Sequence, residues 1–194
     1  MLSRAPDKNF ISFDQPEHNI RTFEFVNANP ASQMKRPEDY DDLLKVSGRQ
    51  GTSIYNFDAT SGSGKHREDG IDINNECTSV RFVHGRVQAG QKGVAITNKG
   101  GNFATLFENI VIIAPYGKFV DIEDGNHSDQ SWKKTTLTLY KNVRRADGKP
   151  VRYAYGRADK ASFVDTDVKV VWWYTAALHV YVYVKQLFYP SNKK

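Results

Sequence analysis

The 194-residue chain contains a single cysteine, Cys77. That excludes an internal disulfide and a cysteine-rich zinc site, and a lone cysteine beside strand-like sequence reads as a small packed side chain. Long runs of one charge are missing too. The net charge is +5, but the basic residues are interleaved with acids, as in Lys65-His66-Arg67-Glu68-Asp69. With no basic stripe and no nucleic-acid module, nucleic acid is not expected as a partner. The opening MLSRAPDKNF holds no apolar stretch of the signal-peptide kind, so no secretory leader is expected. Hydrophobic residues are scarce at 39%, while aromatics reach 12%. Large rings bury much area each, so the expected core leans on Phe and Tyr.

Catalytic signatures are also missing. Gly62-Ser63-Gly64-Lys65-His66 invites comparison with a phosphate loop, but Ala59 stands where its first glycine belongs and His66 replaces the hydroxyl that would hold magnesium. No catalytic residue, metal site or cofactor is expected.

Residues 1–68 read as an irregular arm. Ile20–Val26 has strand composition. Lys35–Val46 has Pro37 early, acids at Glu38, Asp39, Asp41 and Asp42, and then Leu43, Leu44 and Val46, a pattern that predicts a short helix ended by Gly48. A glycine-rich loop around one short strand, Ser53–Phe57, follows.

Beyond Gly70 the turns come often and helical periodicity is lost. Three segments align, starting at Phe82, Phe107 and Tyr140. Each has an aromatic, a short strand, an alanine, a turn with Gly and Lys, and a second strand: Val94–Thr97, Phe119–Ile122 and Val151–Tyr155. A polar insertion at Glu123–Trp132 lengthens the second unit. Asp167–Trp173 would start a fourth. The starts lie 25 and 33 residues apart, and repeats of this length stack and share a core. The alignment predicts an aromatic column of Phe82, Phe107 and Tyr140, and a polar column of His84, Asn109, Asn142 and Asp167 that would form a side-chain ladder. The expected fold is mostly β, a short parallel β-solenoid over 69–173, with a β-sandwich as the competing architecture.

Two features are candidates for function. Asp121, Glu123 and Asp124 form an acidic group, and alternation puts Asp121 and Glu123 on one strand face. With His127 and Asp129 they form a cluster that reads first as surface acids kept for solubility, and otherwise as suiting a metal ion or, with Trp132 nearby, a carbohydrate or an enzyme's paired acids. Asp69, Asp72 and Glu76 form a weaker acidic group, and Tyr153 and Tyr155 are further sugar-stacking candidates. The second feature is the aromatic segment 174–194 with the residues leading into it. Between Lys169 and Lys185 lie 15 uncharged residues. Trp172, Trp173, Tyr181, Tyr183 and Phe188 suit a cap or an oligomer contact. A membrane contact through Val168–Tyr189 is the alternative.

The run DGIDINNECTSVRFVHGRV (69–87), with the later KGG and GKFVDIEDGNHSDQSW, resembles small right-handed parallel β-helix proteins of bacteriophage, over about residues 69–175. The resemblance implies a virion role as a tail, fibre or capsid-associated component, and it supplies no catalytic residues. The expectation is therefore a non-enzymatic, homo-oligomeric virion component acting in assembly or host attachment, with other virion proteins and host surface polysaccharide as partners. A carbohydrate-active β-helix enzyme is the alternative, and a membrane-associated virion protein the second.

Overall fold

The computed structural model describes residues 11–14, 23–26, 42–48, 50–60, 68–74, 76–99, 101–125, 136–155, 161–174 and 176. These stretches are mostly strand. In chain order the strands are β1 (Ile11–Asp14), β2 (Phe23–Val26), β3 (Leu44–Ser47), β4 (Thr52–Ala59), β5 (Ile71–Asn74), β6 (Arg81–Gln88), β7 (Ile96–Asn98), β8 (Phe103–Ile113), β9 (Ile122–Asp124), β10 (Thr136–Arg145), β11 (Val151–Tyr155), β12 (Ala161–Val164) and β13 (Val168–Val170).

Consecutive strands alternate between two sheets. Odd-numbered strands form one, in spatial order β1 to β13, and even-numbered strands form the other, from β2 to β12. Every pairing among these strands is parallel. The antiparallel sandwich therefore does not describe them. A parallel neighbour needs a crossover, and here a strand of the other sheet supplies it.

Sequence composition explains the interior. In the first sheet Leu44, Ile71, Ile96, Ile122 and Tyr153 stand in one register row, and all are buried. In the second, Phe82, Phe107, Tyr140 and Phe163 stack in register with ring centroids 5.5, 5.1 and 5.1 Å apart. Phe57 meets Phe82 edge-on at 5.5 Å. Burying each large side chain contributes about 1.5–3 kcal/mol, and each well-placed ring pair adds about 0.5–1.5 kcal/mol. Gly85 makes room for this packing, because an added Cβ would fall 2.2 Å from the Phe57 ring.

Two register columns carry positive φ. Asn56, His84, Asn109, Asn142 and Asp165 lie between 49° and 56°. Gly51, Ser79, Ala104 and Leu137 lie between 54° and 66°. Left-handed backbone costs most residues about 1–2 kcal/mol, and Asn tolerates it best. The Asn142 side-chain amide donates to Asn109 Oδ1 at 2.7 Å, which offsets part of that cost. The polar column is thus real, but its last member is Asp165 rather than Asp167. β12 follows β10 more closely than the expected spacing, and Asp167 lies exposed between β12 and β13.

A polar chain runs through the interior. Asn102 Oδ1 accepts from the Cys77 amide at 2.9 Å, and Asn102 Nδ2 donates to Asn98 Oδ1 at 2.9 Å. Asn98 Nδ2 donates to Thr138 at 3.1 Å and to Asp124 at 3.3 Å, and the Tyr140 hydroxyl donates to Asp124 Oδ2 at 3.0 Å. Buried polar groups that satisfy one another in this way avoid the desolvation penalty of an orphan.

Three further expectations change. The helix over Lys35–Val46 is not found where the structure describes it: Leu44–Ser47 is strand β3, paired with β5. Burial of Leu43, Leu44 and Val46 against partners 27 residues away outweighs the local helix signals. Position 69 is no boundary in either sheet, because β3 and β4 pair directly with β5 and β6. The span proposed to start at Val168 begins as strand β13, and no helix of the described residues is long and apolar enough to cross a membrane. The phosphate-loop segment and most of 174–194 lie outside the described residues.

Candidate functional site

Alternation along the first sheet points Ile71, Ile96 and Ile122 inward and Asp72, Thr97 and Glu123 outward in one register row. Residues 92–94 and 116–120 line a hollow together with Thr97 and Glu123 of this face. Val94 and Val120 pack there on Ala154 and Val171, with Tyr174 against them. Between these parts lies a cleft of about 860 Å³, lined among others by Asp69, Lys99, Lys118, Phe119, Glu123 and Tyr174.

Hydrogen bonds and ion pairs link successive units at this lining and in the buried layer beside it. Asp69 accepts from the Val94 amide at 2.8 Å and from the Thr97 hydroxyl at 2.6 Å. Gly93 allows this approach, since a Cβ there would meet the Glu68 carbonyl at 2.2 Å. Asp42 accepts from the Asp69 amide at 3.0 Å. Asp72 pairs with Lys99 at 2.8 Å and Lys45 at 3.8 Å. Tyr174 donates its hydroxyl to Glu123.

These contacts set the electrostatics. Burial, with Asp72 and Asp69 nearby, pushes the Asp42 carboxyl up to about 8. Burial and Asp72 push Asp69 up to about 7. Burial works against the Lys99 ammonium, but Asp72, Asp69 and Asp42 outweigh it and hold its pKa above the usual lysine value. Burial lowers Lys118 despite the nearby carboxylates. Burial and Glu123 raise the Tyr174 phenol.

The sequence-predicted acids do not work as a set. Asp121 is outward but fully buried. Arg145 holds it at 3.0 and 3.2 Å, and Arg152 holds it at 2.6 and 3.0 Å and through its amide at 2.9 Å. Asp124 points inward to Tyr140 and Asn98, and burial pushes its carboxyl up to about 7. Glu123 alone reaches the cleft. The paired-carboxylate arrangement is therefore corrected: three neighbours in sequence enter three environments, because alternation separates Glu123 from Asp124 and two arginines seal Asp121. Tyr153 is buried rather than a stacking platform, and Tyr155 is half-buried against Trp172.

Trp172 and Trp173 are 65% and 57% exposed. Trp173 meets Phe119, itself 65% exposed, edge-on at 4.9 Å. Phe119 is a wall of the cleft and also of a second groove of about 350 Å³, shared with Arg152, Lys169, Trp172 and Trp173. His127, Asp129, Trp132, Tyr181, Tyr183 and Phe188 lie outside the described residues. Sequence reasoning missed Asp42, Thr97, Lys99, Lys118 and Tyr174. The available signal was unit spacing: Asp42, Asp69 and Val94 recur at offsets of 27 and 25 residues. Among the described residues no group of His, Cys, Asp and Glu is arranged to hold a metal ion. Comparison with protein families, curated proteins and solved structures gives no match, so the functional reading rests on the residues and their geometry.

Proposed function

We propose that the chain is a short right-handed parallel β-helix that serves as a non-enzymatic structural and host-attachment component of a bacteriophage virion. Strands that alternate between two parallel sheets, with partners offset by 25 and 33 residues, support a coil of stacked units. Parallel crossovers of this kind are right-handed in nearly all sheets. A stiff stack suits repeated contacts with other virion proteins and with further copies of the chain.

One observation carries the attachment reading. Tyr116, Phe119, Trp172 and Trp173, all exposed, line two hollows that share the Phe119 ring, beside Glu123, Lys99 and Lys118. Such a surface fits a pyranose oligosaccharide of a host surface polysaccharide. Aromatic faces take the apolar sugar faces, and carboxylates and ammoniums take the hydroxyls. The placement of two of the acids supports binding without hydrolysis: Asp121 is held by two arginines and Asp124 lies in the core.

The test has two arms. Mass spectrometry of gradient-purified particles should find the chain at a fixed copy number, and its absence would overturn the virion role. An array of lipopolysaccharide and capsule oligosaccharides should retain the purified chain without shortening the sugars. Phe119→Ala with Trp173→Ala should lose that retention. Equal retention by the double variant would overturn the assignment of the surface.

A further inference from the structure

The two hollows that share Phe119 differ in charge. The larger one holds both signs, with Asp69 and Glu123 as well as Lys99 and Lys118 in its lining. Around the smaller one stand Arg152, Lys169 and the rings of Phe119, Trp172 and Trp173, with no carboxylate among the described residues that line it.

Register brings the two cations together. Arg152 of β11 and Lys169 of β13 are parallel partners, so their side chains leave the same face of the first sheet in adjacent units. Asp121 grips Arg152 from one side only, taking Nη2 at 2.6 Å on one oxygen and Nε at 3.0 Å on the other. That grip fixes the guanidinium plane and leaves the Nη1 hydrogens without an acceptor among the described residues. Lys169 is exposed and has no ion-pair partner among the described residues. Asp121 and Asp147 stand against Arg145, Lys149, Arg152 and Lys169, so the patch is cationic. The rings are held beside it. Trp172 meets Tyr155 nearly at right angles at 5.7 Å, and Trp173 meets Phe119 at 4.9 Å and Tyr174 at 5.8 Å. Both tryptophans still expose more than half of their surface.

We propose that the smaller hollow selects an anionic sugar, whose ring stacks on the tryptophans and whose carboxylate or phosphate is taken by Arg152 Nη1 and Lys169 Nζ. The inference rests on the attachment reading above and narrows it to acidic polysaccharides. A guanidinium already oriented by Asp121 loses little freedom when it takes a second anion, and hydrogen bonds to an ionised acceptor are about twice as strong as neutral ones. A neutral sugar gains the stacking but only hydroxyl contacts to the two cations. The shared Phe119 ring lets the same oligosaccharide continue into the larger hollow, where both signs suit hydroxyls.

An array of capsule and lipopolysaccharide oligosaccharides tests this. Each anionic member is printed beside a neutralised copy, carboxyl-reduced where the charge is a carboxylate and phosphatase-treated where it is a phosphate monoester. The purified chain should retain anionic members, and neutralisation should weaken retention by roughly tenfold or more. Whichever treatment acts identifies the anion. Lys169→Gln should weaken retention of the same members by about fivefold, and Lys169→Arg should restore it. Lys169 is exposed, so neither change should move the unfolding midpoint. Equal retention of charged and neutralised copies would overturn the inference and leave attachment to neutral sugars standing. Undiminished retention by Lys169→Gln would overturn it too, by placing the anion elsewhere. Retention of no sugar at all would overturn the attachment reading itself, and this inference with it.

Discussion

Asn142 donates its side-chain amide to Asn109 Oδ1 at 2.7 Å, and both residues hold left-handed backbone, with φ of 49° and 56°. The two facts explain each other. The left-handed turn aims each carboxamide along the stack, and the bond repays part of the conformational cost. Asn109→Ala should destabilise by about 2 kcal/mol, roughly half from the lost bond and half from the backbone. Asn109→Gly should cost less, since glycine adopts this backbone freely. Urea denaturation of both variants checks the order, and a Gly variant weaker than the Ala variant would contradict it.

The aromatic column is the second test. Phe107 is fully buried between Phe82 and Tyr140. Phe107→Ala should cost about 3–5 kcal/mol, and Phe107→Leu clearly less, because a smaller cavity is left. A loss below about 1 kcal/mol for the Ala variant would mean that this stack is not central to the core.

Asp121 separates a structural acid from a catalytic one. It balances Arg145 and Arg152, and removing it leaves two guanidiniums without their shared partner. Asp121→Asn should destabilise by about 3–5 kcal/mol in thermal or urea unfolding. An unchanged midpoint would return this residue to the list of functional candidates.

Asp124 gives a pH signature of its own. Burial raises its carboxyl to about 7. The folded chain therefore binds this proton more tightly than the unfolded chain, and the associated stability is lost as pH rises from about 4 through about 7. The melting temperature should rise from pH 8.5 to pH 5.5, and Asp124→Asn should rise less steeply. A slope identical to the wild type would contradict this assignment.

The sequence made much of this fold legible. Phe82, Phe107 and Tyr140 could be aligned because a stacked column demands an aromatic at each matching strand position, and His84, Asn109 and Asn142 because their shared register position demands a residue tolerant of positive φ. Other parts depend on distant partners. Leu44–Ser47 is a strand only because β5 lies beside it. The burial of Asp121 needs Arg145 and Arg152, 24 and 31 residues away. Asp124 sits in a stretch with loop composition, and its inward turn is set by pairing with Asn98 and Tyr155. The cleft was hidden for the same reason: its residues come from segments that only stacking brings together.

The parallel register of successive units underlies all of these claims, and cross-linking tests it directly. Glu108 and Lys141 are register partners on the surface of β8 and β10, with their charged ends 2.7 Å apart. In a Cys77→Ala background, Glu108→Cys with Lys141→Cys should oxidise to a disulfide under mild conditions. Glu108→Cys with Arg144→Cys, three residues out of register, should stay reduced. Failure of the first pair to close, or equal closure of both, would contradict the stacked parallel architecture.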